Sequence, residues 1–203
     1  MQVKDMFLKN KKFFFCFFLI IFFLFSYRVY SVTNDKIKII NYLDSLQNFS
    51  ASFLQNDGIN LSEGRVYIGK KRVRAEYLTP VKILIILDEN KAMYYNYELE
   101  EDEFFNPKNT NAWFFYDIFR NPLFFEDAKI EFKGNELVIE KNGFDIENNS
   151  YFLKVYFENN PLVLRKIDVW INQEFLTLSI YNHNYNQEFN KDLFKLINPN
   201  FLN

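Results

Sequence analysis

The sequence predicts a mainly β protein of the α+β class, in which a curved antiparallel sheet of about 9–11 strands forms an incomplete β-barrel lidded by short helices. Three observations support this fold class. Apolar and polar residues alternate in many short runs, which is the pattern of a strand with one buried face. Turn-forming pairs such as Asn142-Gly143 separate these runs at short intervals, as in an antiparallel meander. Only two segments have the spacing of an amphipathic helix.

The first helix is predicted over 35–48, with Asn34 or Asp35 as its N-cap. Its apolar residues recur every three positions, while lysine and acidic side chains lie off that stripe. One face of this helix therefore packs on the rest of the domain. The predicted apolar stripe consists of Ile37, Ile40, Leu43 and Leu46.

Alternating runs follow this helix and return near the C-terminus. Residues 82–88 are an exception, because KILIILD shows no alternation and is predicted to be buried on both faces or covered. Elsewhere the alternation gives each strand one apolar side, and these sides together form the inside of the barrel. The alternating runs lie at 49–54, 65–68, 73–77, 153–157 and 166–171.

The second helix is predicted over 109–120, after Pro107, with Asn109 or Thr110 as its cap. It ends before Asn121-Pro122, since the residue before a proline avoids the helical conformation. The segment is rich in aromatic residues, so the helix must cover an apolar surface.

Residues 1–31 are predicted to be a cleavable signal peptide, and residues 32–203 the exported domain. Four lysines precede an unbroken apolar run at 13–25, and Val29 and Ser31 have the spacing of a cleavage site. A retained membrane anchor is the alternative, although a spanning helix needs about 20 apolar residues and Arg28 ends the run early. Export without cysteines in the mature chain is typical of a bacterial periplasm.

Composition excludes several classes of protein. The formal net charge of −2 argues against a nucleic-acid binder. A single cysteine, Cys16, and a single histidine, His183, exclude a disulfide framework and the usual structural zinc sites. No Gly-rich phosphate loop, G-x-S-x-G or H-E-x-x-H motif is present. We therefore expect no enzyme, no cofactor and no metal; a Ser–His esterase, the remaining alternative, would depend on His183 alone.

A barrel of about eight strands has an interior that side chains just fill or that holds one small ligand. The pattern leaves both possibilities open. Aromatic and aliphatic walls beneath two amphipathic helices favour a cavity for an acyl chain, which needs burial and no hydrogen bonds. The residues predicted to line such a lipid-binding cavity are Phe53, Val66, Ile68, Val73, Ala75, Tyr77, Ile83, Ile85, Met93, Tyr95, Trp113, Phe114, Leu153, Val155, Ile167 and Val169.

The first part of the predicted domain carries a series of short motifs: FSASFLQ (49–55), GRVYI (64–68), RAEYLTP (74–80), an apolar strand at 83–87 before Asp88, and MYY (93–95). In their order and spacing, these motifs resemble those of LolA, the family of periplasmic outer-membrane lipoprotein carriers. The C-terminus adds a predicted Phe-x-Leu strand at 194–196, followed by Pro199. Three positions depart from the family pattern: Lys70 stands for an arginine in a shortened turn, Glu89 for a glycine, and Met93 for a tryptophan.

The resemblance implies an unclosed barrel whose apolar cavity holds the acyl chains of lipoproteins. The implied task is to ferry lipoproteins across the periplasm, from an inner-membrane transporter to the outer membrane or an acceptor there. It also implies a monomer without nucleic-acid partners. Lys70 or Arg74 would take the role of the family's arginine as a latch on the lid. The alternative is a binding module of the same barrel type for another lipid or apolar ligand.

Overall fold

Eleven antiparallel strands form one continuous, curved sheet among the residues described by this computed structural model, 34–171 and 174–202. The predicted fold class, a mainly β chain with an unclosed barrel, is confirmed. The predicted signal peptide lies outside the described residues. The strands are β1 (Phe49–Asn56), β2 (Leu61–Ile68), β3 (Val73–Thr79), β4 (Ile83–Leu87), β5 (Ala92–Asn96), β6 (Glu101–Phe105), β7 (Lys129–Lys133), β8 (Glu136–Phe144), β9 (Ser150–Glu158), β10 (Val163–Ile171) and β11 (Glu174–Asn184).

The strand order is β6-β5-β4-β3-β2-β1-β11-β10-β9-β8-β7, so two meanders meet where β1 pairs with β11. β6 and β7 are the two edges of the sheet and do not pair with each other. Both edges are charged, β6 as EDEFF and β7 as KIEFK. The sheet therefore stays open between β6 and β7.

Two α-helices accompany the sheet. α1 spans 34–45, before β1, and α2 spans Trp113–Arg120, between β6 and β7. The buried residues of α1 are Ile39 and Leu43, and Leu46 is buried just after the helix, so the buried stripe is rotated from the predicted one. α2 begins later than predicted. The Asn106 side chain accepts the amide N–H of Lys108 and starts a separate 3-10 turn, Pro107–Asn109. Further 3-10 turns span Pro122–Phe125 and Pro199–Phe201.

The inner face of the sheet is the face that packs against the helices. Register fixes it: Ala51 lies opposite Val66, and Val66 lies opposite Ala75, so these three side chains share one side. Residues 39–203 form one compact unit around this face. Its fully buried residues come from both meanders and both helices, including Ile39, Phe53, Ile68, Phe114, Leu137, Val155 and Ile167.

A second, smaller core lies on the outer face of the sheet, where Leu84, Ile86, Met93 and Tyr95 are buried with Leu196 packed on them. Leu196 belongs to the C-terminal strap, residues 185–202, which crosses the outer face. Residues 194–196 do not form the predicted strand. Instead the strap is fixed through its main chain: Arg72 Nη1 donates to Phe194 O at 2.8 Å, and Arg74 Nη1 donates to Leu193 O at 2.7 Å.

No helix in the described ranges is both long enough and apolar enough to cross a bilayer.

Candidate functional site

An apolar cavity of about 200 Å³ lies between the inner face of the first meander and the underside of α2. Strands β1 to β4 supply one wall, β11 supplies a second, and α2 closes the top with Phe115 and Phe119. The lining residues are Phe53, Gln55, Val66, Val73, Ala75, Tyr77, Ile85, Leu87, Asn111, Ala112, Phe115, Phe119, Leu176, Leu178 and Ile180.

A larger groove of about 570 Å³ adjoins this cavity. The two share four lining residues, namely Gln55, Asn111, Phe115 and Leu176, so the groove leads directly to the cavity. Its outer end lies at the β1–β2 turn, beside Ile59. Its volume is within the range of about 300–1,000 Å³ that is usual for small-molecule sites.

Two polar groups of the cavity wall are paired with each other. The hydroxyl of Tyr77 donates to Gln55 Oε1 at 2.8 Å, and burial raises the pKa of Tyr77 to about 12. The phenol therefore stays neutral at physiological pH. Since these two polar groups satisfy each other, an apolar ligand could occupy the cavity without leaving them unpaired.

The inner face of the second meander is filled by protein where α1 packs on it. Leu153, Val155 and Ile167 are buried there, in the same core as Leu43 from α1 and Leu46 just after that helix. The hydroxyl of Tyr42, also on α1, accepts the amide N–H of Leu164 on β10 at 3.1 Å. Beyond this packed region, Val169 and Ile171 on β10 line the larger groove.

The residues predicted from sequence to line a cavity lie in several different places in the structure. Phe53, Val66, Val73, Ala75, Tyr77 and Ile85 line the cavity, and Phe114 and Val169 line the groove. Ile68, Ile83, Leu153, Val155 and Ile167 are on the inner face but contact neither space.

Met93 and Tyr95 were placed on the wrong face by the sequence prediction. Register places Tyr94 opposite Ile85, so Tyr94 faces inward, together with Ala92 and Asn96 on the same side of β5. Met93 and Tyr95 belong to the outer core beneath the C-terminal strap. Trp113 lies on α2 but lines a separate groove on the side of the helix away from the cavity.

The latch prediction also needs correction. Arg74 is on the outer face, is only 8% exposed, and forms an ion pair with Glu76, so it does not reach the lid. Lys70 has an exposed side chain, and it is its main-chain oxygen that faces Arg120 of α2.

The residue that holds the lid is Arg120, at the last position of α2. Its Nη2 donates to Leu46 O at 3.0 Å, beyond the end of α1, and its Nη1 lies 3.4 Å from Lys70 O in the β2–β3 turn. Burial lowers the pKa of this guanidinium, and its Nε has no hydrogen-bond partner among the described residues. Sequence reasoning missed Arg120 because an arginine at a helix C-terminus is common and its acceptors are main-chain atoms.

The titratable side chains that could act in metal binding or acid–base chemistry are placed as follows. No group of three or more His, Cys, Asp or Glu side chains is arranged there to hold a metal ion. The ring Nε2 of His183 lies 2.7 Å from Leu164 O, and the ring contacts Phe49 and Tyr185. Burial lowers the pKa of His183, so the ring is neutral and donates to the carbonyl.

A family model described as outer membrane lipoprotein carrier protein LolA matches residues 44–197. The chain belongs to the LolA family. The resemblance inferred from the motifs is thereby confirmed over most of the sequence. At the level of the family, the chain is a periplasmic carrier that binds lipids or lipoproteins, and LolA proteins are carriers and not enzymes. No curated protein matches the sequence.

Solved structures similar to this LolA-family chain share little sequence with it. The crystal structure of an uncharacterized conserved protein from Thermus thermophilus has a TM-score of 0.52 and 12% identity, over 80% of this chain and 93% of that one. It shows that the fold is shared. The MucA/MucB complex structure from Pseudomonas aeruginosa has a TM-score of 0.47 and 9% identity, over 79% of this chain and 59% of that one.

Proposed function

We propose that this LolA-family protein binds the acyl chains of lipoproteins under α2 and ferries the lipoproteins from the inner to the outer membrane. The observation that supports this most is the continuity between the apolar cavity and the larger groove, through four shared lining residues. Two adjoining spaces, of which the inner one is mainly apolar, match a long, flexible hydrocarbon chain better than a compact ligand. The proposal includes export by the N-terminal signal peptide and cleavage after Ser31.

The small volume of the cavity beneath α2 also bears on how such a carrier releases its cargo. At about 200 Å³, it lies below the usual volume of ligand sites, so α2 must move before several acyl chains can enter. Burial of each CH₂ contributes about 0.8 kcal/mol. Moving α2 exposes Phe115 and Phe119 and breaks the contacts of Arg120. The free energy that this requires offsets part of the free energy gained by burying the acyl chains. Binding therefore remains reversible.

Two further partners belong to the proposal: an inner-membrane transporter that loads the carrier and an outer-membrane acceptor that unloads it. A carrier that holds several acyl chains needs both, because spontaneous transfer of such a lipid through water is slow. The protein acts without catalysis and without a cofactor.

The test is binding of a fluorescent triacylated lipopeptide to the mature protein, with a variant that fills the cavity. Ala75→Phe places a ring among the lining residues, and we expect its affinity to fall by about tenfold or more. Leu78→Phe on the same strand is the matched control, because Leu78 is exposed and lines neither space. Equal affinity in Ala75→Phe and the unchanged protein would overturn the proposal.

A second measurement separates the carrier from a binding module for another apolar ligand. A lipoprotein carrier binds the triacylated lipopeptide at least about tenfold more tightly than palmitate, since three chains bury more surface than one. If palmitate binds as tightly, the binding-module alternative is correct. Mass spectrometry of the protein purified from the periplasm then identifies the co-bound lipid.

A further inference from the structure

A second groove, of about 250 Å³, lies on the side of α2 away from the acyl cavity. It shares no residue with the cavity or with the groove that leads to it. Its apolar part is largely aromatic. The lining residues are Glu89, Pro107, Lys108, Trp113, Tyr116, Asp117, Phe144, Asp145 and Ile146. We call this the outer groove.

The β8–β9 turn presents two apolar side chains beside this groove. Phe144 is 68% exposed and Ile146 is 71% exposed, so both remain in contact with water. The turn that holds them is fixed by Asp145, whose Oδ1 accepts the amide N–H groups of Glu147 and Asn149 at 3.0 and 2.7 Å. A rigid turn presents these side chains at a lower entropic cost of binding than a flexible one.

The charges around the outer groove are mainly acidic. Its lining has three carboxylates and one ammonium group, which gives a net charge of −2. The ammonium group, on Lys108, lies 3.8 Å from Glu89 and donates to Asn90 Oδ1 at 2.9 Å. Lys108 is therefore engaged with the β4–β5 turn, and Asp117 and Asp145 supply the excess negative charge. Half-burial of Asp117 raises the pKa of its carboxyl group.

We propose that the outer groove docks a segment of a partner protein in which an apolar side chain is flanked by lysine or arginine. The apolar side chain contacts Trp113, Phe144 and Ile146, and the basic residues pair with Asp117 and Asp145. Aromatic residues at the centre of a groove are the usual anchors of such interfaces. The acidic rim opposes an anionic bilayer surface and selects a basic protein segment.

The position of the outer groove has a consequence for the lid. Trp113, Tyr116 and Asp117 belong to α2, whereas Phe115 and Phe119 on the same helix cover the acyl cavity. A partner docked in the outer groove therefore contacts the lid helix directly while the cavity remains separate. The docking site is distinct from the acyl-binding proposal, and each can fail without the other.

The test uses ¹⁵N-labelled protein and two synthetic peptides, in which a central leucine is flanked either by lysines or by glutamates. We expect the lysine peptide to shift the indole N–H signal of Trp113 and to leave that of Trp170 unchanged. Trp170 is a suitable reference because it packs between Phe152 and Phe175, away from the outer groove. The glutamate peptide should bind at least about tenfold more weakly. No Trp113 shift up to about 5 mM lysine peptide, or equal binding of both peptides, overturns the proposal.

Two variants complete the experiment. Phe144→Ser with Ile146→Ser should abolish the Trp113 shift, whereas Phe132→Ser, an exposed aromatic on edge strand β7, should not. Both proteins should bind the triacylated lipopeptide with unchanged affinity, because none of these residues lines the acyl cavity. Retention of the shift in the Phe144/Ile146 double variant would contradict the assignment of the groove.

Discussion

The guanidinium of Arg120 donates to the main-chain oxygen of Leu46 at 3.0 Å, and this contact joins the last turn of α2 to the chain just after α1. The same side chain approaches Lys70 O in the β2–β3 turn. One residue thus connects both helices and the sheet. Its removal should loosen the lid without disturbing the strands.

We expect Arg120→Met to lower the free energy of unfolding by about 1–3 kcal/mol, because hydrogen bonds from a charged group are lost. The acyl probe should enter the cavity faster, since α2 then has fewer contacts to break. Chemical denaturation and stopped-flow fluorescence measure the two effects. Arg120→Lys keeps the charge but not the planar donor group, so it should behave almost like Arg120→Met. Unchanged entry rates in both variants would contradict this role.

Gly64 should not tolerate a side chain. It lies on the inner face opposite Phe53, and an added Cβ would overlap the main-chain oxygen of Glu76 and the ring of Phe53. We expect Gly64→Ala to destabilise the fold by about 2 kcal/mol or more, measured by urea denaturation. Gly134→Ala is the matched control. The space around Gly134 is open, so only its φ of +66° should lower the free energy of unfolding, by about 1 kcal/mol. The prediction is wrong if both variants lose the same stability.

The C-terminal strap should detach when Arg74 is replaced. Arg74→Ala removes the donor to Leu193 O and leaves Glu76 without its ion-pair partner. We therefore expect the free energy of unfolding to fall by about 2 kcal/mol. Hydrogen exchange should increase in the strap and in β4 and β5, whose outer core it covers. Lys71→Ala, in the neighbouring turn with an exposed side chain, is the control. Exchange that increases equally over the whole sheet would indicate global unfolding instead.

Stability should decrease as the solution becomes acidic because of His183. Its pKa in the folded protein is lowered by burial, so the unfolded chain binds the proton more tightly. The contribution of the neutral His183 ring to stability is therefore present above about pH 6.5, and it is lost as the pH falls through the lower pKa of the folded state. His183→Gln can keep a donor to Leu164 O without titrating, and should show a shallower decline between pH 7 and about 5. Identical slopes of unfolding free energy against pH would refute this.

Local periodicity predicted the strands well because the alternation of side chains is a property of each segment alone. It failed in β5, where AMYYN is apolar on both faces. The outer face of this strand is buried by Leu196, about a hundred residues later in the sequence, so no local pattern could show which side faces inward. Met93 and Tyr95 were therefore placed one residue out of phase.

The candidate site was predictable only in part for a related reason. Phe53, Val66 and Ala75 were assigned to the cavity from alternation, and Leu153, Val155 and Ile167 have the same pattern. What distinguishes the two groups is which helix lies above them. The helix positions depend on long-range contacts such as that between Tyr42 and Leu164, which carry no sequence periodicity.

The charged edge strands explain how an open sheet can persist in a concentrated solution of identical molecules. Consecutive acidic residues on β6, and alternating lysines and a glutamate on β7, make addition of another strand costly at either border. The open border between β6 and β7 is therefore protected against fibrous self-association.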